Sequence, residues 1–124
     1  MSADDLYFLK LLDMDFDRDA DGGSAVSLQI APKHRQANGV VHGSVVHALL
    51  DTSMGIEAFR AADRSPVATA EISVRFLAPS FEGTLSSQSR VIKAGKRTIV
   101  LDGEVKCDGK LVAVGQSTYM RISR

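Results

Sequence analysis

Four strand-like runs follow one another in the second half of this chain: Val67 to Leu77, Thr84 to Lys93, Thr98 to Lys106 and Leu111 to Ile122. Only the short stretches APSFEG, KAGKR and CDGK separate them. Each run is rich in β-branched residues and alternates apolar with polar positions, the period of a strand with one face in a core. Strands joined by so few residues must pair antiparallel, because a parallel pair needs a crossover of a dozen residues or more. Asp108-Gly109, in the last connection, is a two-residue hairpin signal and the strongest local turn signal in the chain.

The first half reads differently. Asp4 to Leu12 sets Leu6, Leu9 and Leu12 at helical spacing behind acidic residues that suit a helix start, which predicts a short amphipathic helix. A solvated loop is expected over Asp17 to Gly23, a strand over about Ser24 to Ala31, and a polar connection over Pro32 to Asn38. The run from about Gly43 to Phe59 lacks proline and stacks Val45, Leu49, Thr52 and Ile56 at spacings of three and four. This main helix is apolar around most of its circumference, so the sheet is expected to curl around it. The resulting class is α+β: one antiparallel sheet wrapped around one long central helix, in β-α-β-β-β-β order after a short N-terminal helix. Open strand edges would remain, and pairing two copies of the chain would cover them.

Composition narrows the partners. A chain of 124 residues is expected to form a single domain spanning 1–124. Hydrophobic residues at 44% and charged residues at 24% argue against a disordered, fibrous or transmembrane chain. Fifteen basic residues balance fifteen acidic ones, which gives no electrostatic reason to expect nucleic acid or an anionic membrane as partner. The opening, MSADDLYFLKLLDMDF, has acids where a secretory signal carries positive charge, and a cytoplasmic location is expected. Cys107 is the only cysteine, so no intrachain disulfide or cysteine-based zinc site is expected, and it reads as a spectator thiol.

Against this background the segment NGVVHGSVVHALLDTSMG poses a chemical question, because Asp51 stands among Val, Ala, Leu, Ile and Met. A carboxylate in apolar surroundings is costly unless something compensates for it. Its helix begins just after GVVHG, where the first backbone N–H groups have no intrahelical partner and the macrodipole is positive. Gly43 has no side chain to keep a ligand from its N–H, which makes it a candidate oxyanion donor. Equally, Gly39 and Gly43 could simply let the backbone turn into the helix. A plain pairing of His47 with Asp51 at i,i+4 on a wetter stripe is the structural alternative for the acid. Ser44, His47 and Asp51 look superficially like a serine triad, but a stripe along one helix is a poor way to give a serine both base and oxyanion hole. Metal binding at His42, His47 or Asp51 lacks a closing ligand, since the two histidines point about 140° apart on a helix.

These residues carry a resemblance. QANGVVHGSVVHALLDTSMG followed by TAEISVRFLAP resembles the hotdog-fold acyl-CoA thioesterases of the phenylacetic-acid degradation (PaaI-like) type. Their pattern is His-Gly-Gly at the mouth of the central helix, an acid nine residues after that histidine, and a strand of the form Thr, seven residues, Leu, any residue, Pro. His42, Gly43 and Asp51 fall on the first spacing, and Thr69, Leu77 and Pro79 on the second. The likeness runs from Val26 onward.

The resemblance implies that Asp51 is the catalytic carboxylate, as nucleophile on the thioester carbon or as general base on water. Gly43 N–H would polarise the thioester carbonyl, Gln36 would orient the thioester or water, and Thr69 would hold the water or the carboxylate. His42 would shape the loop by hydrogen bonding. Asn38 and Ser44 belong to the implied substrate-binding rim, and Ser44 replaces the family's second glycine, which could narrow the acyl pocket. Lys96 and Arg97 match a turn that contacts coenzyme A phosphates, or form a plain solvated hairpin. The substrate would be an aromatic or medium-chain acyl-CoA, with no metal or redox cofactor. The implied assembly is a homodimer in which the acid of one subunit faces the helix start of the other, with a homotetramer as a dimer of dimers. Two other classes remain: a hotdog hydratase or dehydratase acting on acyl thioesters, which would want a histidine converging with the acid, and a non-catalytic acyl-CoA binding protein.

Overall fold

Alternation along the last four runs becomes four long strands in the computed structural model, which describes residues 7–16 and 26–122. In chain order the elements are α1 (Tyr7–Leu11), β1 (Asp15–Phe16), β2 (Val26–Gln29), a single 3-10 turn at Pro32–His34, α2 (Gly43–Ala61), β3 (Val67–Phe76), β4 (Thr84–Ala94), β5 (Thr98–Cys107) and β6 (Lys110–Arg121). The strands form one antiparallel sheet in the order β1-β2-β4-β5-β6-β3. The expected loop over Asp17 to Gly23 lies outside the described residues, as do Asp4, Asp5, Leu6, Ser24 and Ala25. Among the described residues no helix is long and apolar enough to cross a membrane.

Two departures from the sequence expectation are small and physical. The two-residue β1, paired with β2, is too short to leave a periodic trace. The main helix runs two residues beyond Phe59, and its end is set by the backbone: Asp63 and Arg64 take φ of 54° and 61°, with Pro66 just beyond. The Asp108-Gly109 hairpin forms as expected, with Cys107 opposite Lys110 and φ of 48° and 86° at the two turn residues, as a type I′ turn requires.

The core lies between α2 and the concave face of the sheet. Leu49, Leu50, Met54 and Ala58 of the helix are fully buried against Leu28, Leu85, Ile99, Leu101, Val105 and Ala113. Each such leucine or isoleucine contributes about 1.5–3 kcal/mol by leaving water. Gly103 of β5 stands opposite Gly115 of β6, and a Cβ on either would come within 3.2 Å of Leu50. This bare spot lets Leu50 sink into the sheet and brings the helix close.

An irregularity in β3 decides where Thr69 points. In the β3–β6 ladder Thr69 pairs with Tyr119 and Glu71 with Thr118, so Ala70 is an extra residue, a β-bulge. Beyond the bulge Ile72 and Val74 pack on the core. Strict alternation from them would send Thr69, three residues earlier, to the outer face. The bulge turns it back toward α2. Strand β3 is also an edge of the sheet, with no further strand beside it among the described residues.

Candidate active site

The loop before α2 is fastened by a residue that sequence reasoning passed over. His34 is fully buried; its Nδ1 accepts from the Ala31 N–H at 2.9 Å and its Nε2 lies 2.9 Å from the Leu12 carbonyl oxygen, tying the N-terminal segment to the loop. The His34 carbonyl in turn accepts the His42 N–H at 2.9 Å. The His42 side chain, expected to shape this loop, is exposed at the helix N-cap without a capping bond, while the buried His34 fastens the loop from within. Asn38 closes a small turn, its Oδ1 accepting the Val40 N–H at 3.1 Å. Ser44 is the one exposed position of α2.

At the helix mouth Gly43 and Gln36 share a cleft of about 380 Å³ with Val46, Phe76, Pro79 and Val112. No acceptor among the described residues takes the Gly43 N–H, as expected of a first helical residue. A Cβ at position 43 would sit 3.3 Å from the Phe76 ring, so glycine is what lets that ring lie over the helix start. Phe76 and Leu77 in this cleft, and Phe81 two residues beyond Pro79, are each about half exposed, the kind of bare apolar surface from which binding and subunit contacts are made.

Two turns along α2, the question posed by Asp51 has its answer. Thr69 Oγ1 donates to Asp51 Oδ1 at 2.9 Å, across from β3. The Tyr119 hydroxyl, from β6, donates to the same Oδ1 and lies 2.7 Å from the Asp51 backbone oxygen. Two hydroxyls thus solvate one carboxylate oxygen, and such charge-assisted bonds offset much of the cost of half-burying the charge. His47 makes no hydrogen bond or ion pair with Asp51, so the simple i,i+4 pairing is not what holds the acid. Burial, and then the bond to Asp51, push the Tyr119 phenol well above its ordinary value, which keeps its proton in place as a donor.

Lys96 and Arg97 are exposed on the turn between β4 and β5. The Arg121 guanidinium holds that turn through the Gly95 carbonyl at 3.2 Å. Thr98 pairs with Met120, and Met120 with Ala68, so the turn lies at the same end of the sheet as Thr69. Cys107 Sγ contacts the Glu82 carbonyl at 3.3 Å, far along the sheet from Asp51.

The expected site residues therefore fall into two groups. Gln36, Asn38, His42, Gly43 and Ser44 gather at the helix mouth, while Asp51 and Thr69 lie farther down with Lys96 and Arg97 at their end of the sheet. Eight residues of helix separate Gly43 from Asp51, about 12 Å at 1.5 Å per residue. An oxyanion donor must stand about 3 Å from its oxygen and an acid within hydrogen-bond reach of the reacting water or carbon. One chain cannot put both groups on one thioester.

A single antiparallel sheet wrapped around one long helix, with an acid held by two hydroxyls along that helix and an open amide at its start, is the hotdog fold, here of the PaaI-like kind. The chain belongs to the thioesterase superfamily, whose family profile matches residues 38–114. A Saccharolobus solfataricus protein provisionally named an esterase is 29% identical over 112 residues, which are 90% of this chain and 79% of that protein. The Escherichia coli PaaI protein of the phenylacetic acid degradation operon superposes with a TM-score of 0.82 at 25% identity, covering 94% of this chain and 85% of that one. A Bacillus halodurans protein solved with CoA superposes with a TM-score of 0.83 at 27% identity, covering 95% and 80% of the two chains.

Proposed function

We propose that this chain hydrolyses an acyl-CoA thioester to a carboxylic acid and free coenzyme A, at a site shared by two copies of the chain. The observation that carries the proposal is the division of labour along α2: a carboxylate steadied by two hydroxyls at one position, and an open amide about 12 Å away at the other. Pairing through the open β3 edge sets Asp51 of one copy against Gly43 of the other. Superfamily membership supports the reaction class, and the relative solved with CoA supports the leaving group.

In this scheme the thioester carbonyl oxygen accepts the Gly43 N–H, with the Gln36 amide beside it. As general base, Asp51 takes a proton from water as the water oxygen bonds to the carbonyl carbon. The tetrahedral species then expels the CoA sulfur, and the proton held by Asp51 goes to the departing thiolate. As nucleophile, Asp51 bonds to the same carbon directly, the C–S bond breaks, and water cleaves the resulting mixed anhydride. The apolar cleft around Val46, Phe76 and Val112 takes an aromatic or medium-chain acyl group, with Ser44 and Asn38 at its rim. Lys96 and Arg97 meet the CoA phosphates outside.

The test is thiol release from a panel of aromatic and medium-chain acyl-CoAs. Asp51→Ala and Asp51→Asn are each expected to lower kcat roughly 10²–10⁴-fold, the usual worth of a positioned base, while the protein stays folded. Gly43→Pro deletes the oxyanion donor with a residue suited to the first helical position, since His42 before it already has the extended backbone that precedes proline (ψ 134°). Its expected loss is about 10²–10³-fold. Turnover that survives both Asp51 variants would end the assignment. Water addition to an enoyl-CoA without thiol release would point to a hydratase, and binding without turnover to a carrier.

A further inference from the structure

Asp51 has two side-chain oxygens, and the structure treats them unequally. Thr69 and Tyr119 both donate to Oδ1, and no hydrogen bond among the described residues reaches Oδ2. Tyr119 is only 3% exposed and comes from β6, while Thr69 comes from β3, so Oδ1 is gripped from two neighbouring strands at once. The seat of the phenol is made by the helix itself. Gly55 follows Asp51 by one turn, and a Cβ there would meet the Tyr119 hydroxyl at 3.2 Å and its ring carbons at 3.4 and 3.6 Å.

We infer that Tyr119, seated against Gly55, is a positioning residue for the reaction: it pins Oδ1 of Asp51, fixes the plane of the carboxylate, and leaves Oδ2 as the oxygen that meets water or the thioester carbon. This inference rests on the proposed role of Asp51. Held from one side only, by Thr69, the carboxylate could turn about its Cβ–Cγ bond and present either oxygen. Held by two hydroxyls from different strands, it presents one. A misplacement of about 1 Å in a reacting group can cost 10²-fold in rate, so a hydroxyl that touches no substrate still governs kcat. The half-exposed setting of Asp51 and the raised proton affinity of the buried phenol fit this use, because the phenol remains a donor at any pH at which the enzyme would work.

The experiment compares kcat and KM for thiol release, together with Tm, in the parent chain, Tyr119→Phe, Gly55→Ala and the double variant, with Asp51→Ala as reference. Tyr119→Phe keeps the ring and deletes the donor; kcat is expected to fall about 10–100-fold with KM within about twofold. Gly55→Ala pushes the hydroxyl off Oδ1 and is expected to lower kcat likewise. Its penalty should shrink in the Tyr119→Phe background, where no hydroxyl remains to be displaced. A merely structural tyrosine would lower Tm in Tyr119→Phe and Gly55→Ala and leave kcat unchanged in both. Should Tyr119→Phe fail to fold, Gly55→Ala alone carries the expectation of a lower kcat at unchanged KM. Full kcat in Tyr119→Phe, beside an inactive Asp51→Ala, would overturn the inference and leave the role of the acid standing. Activity surviving in Asp51→Ala would instead bring down the role of the acid.

Discussion

Asp51 shows how hydroxyls can make one carboxylate tolerable in an apolar setting. Its charge is met by two hydroxyls, one from β3 and one from β6, both drawn from the sheet side and not from its own helix. Thr69 was legible in the sequence because it falls on the family's strand pattern. Tyr119 was not, since a lone tyrosine in an alternating strand reads as core, and only its inward register opposite Thr69 reveals the hydroxyl's target. The same phenol makes a prediction about stability. Its proton affinity is raised in the folded state, so its contribution is complete below the ordinary tyrosine value of about 10 and is lost as pH climbs from there toward the folded value. Thermal denaturation followed between neutral and strongly alkaline pH should show Tm falling above that value in the parent and falling less steeply in Tyr119→Phe. Parallel declines in the two proteins would show that the phenol does not couple to folding.

At the level of elements, periodicity and turn chemistry carried most of what the sequence could say. The long apolar helix, the four antiparallel strands and the Asp108-Gly109 hairpin all follow from local pattern, and each is present. What local pattern misses is any feature created by pairing. The bulge at Ala70 exists only relative to β6, yet it decides which face Thr69 presents. The fastening of the loop by His34 depends on contact with Leu12, 22 positions away in the chain. The bare spot at Gly103 and Gly115 likewise needs two strands in register before its use is visible. Leu50, which fills that spot and is fully buried, is the natural probe of how α2 is seated. Leu50→Ala is expected to cost about 2–5 kcal/mol in denaturant unfolding, because the helix cannot collapse further onto the glycines to refill the space. A loss under about 1 kcal/mol would mean that α2 is held loosely and that the acid and the amide it carries are not rigidly placed.

For the whole molecule the decisive fact is a length. The helix that carries both the amide and the acid separates them by about 12 Å, so neither half can act on a thioester held by the other half of the same chain. In the proposed dimer the exposed Phe76, Leu77 and Phe81, and the open edge of β3, would be covered by the second copy. Sequence could suggest this division only through resemblance, because the span between two positions on a helix matters only once the task of each is known. A mixing experiment tests the shared site directly. Asp51→Ala and Gly43→Pro, each nearly inactive alone, are unfolded together in equal amounts, refolded, and assayed for thiol release. If the amide of one chain serves the acid of another, half of the dimers carry one intact site of two, and the mixture should recover about a quarter of the parent activity. Activity no greater than the sum of the two variants measured separately would contradict a site built from two chains.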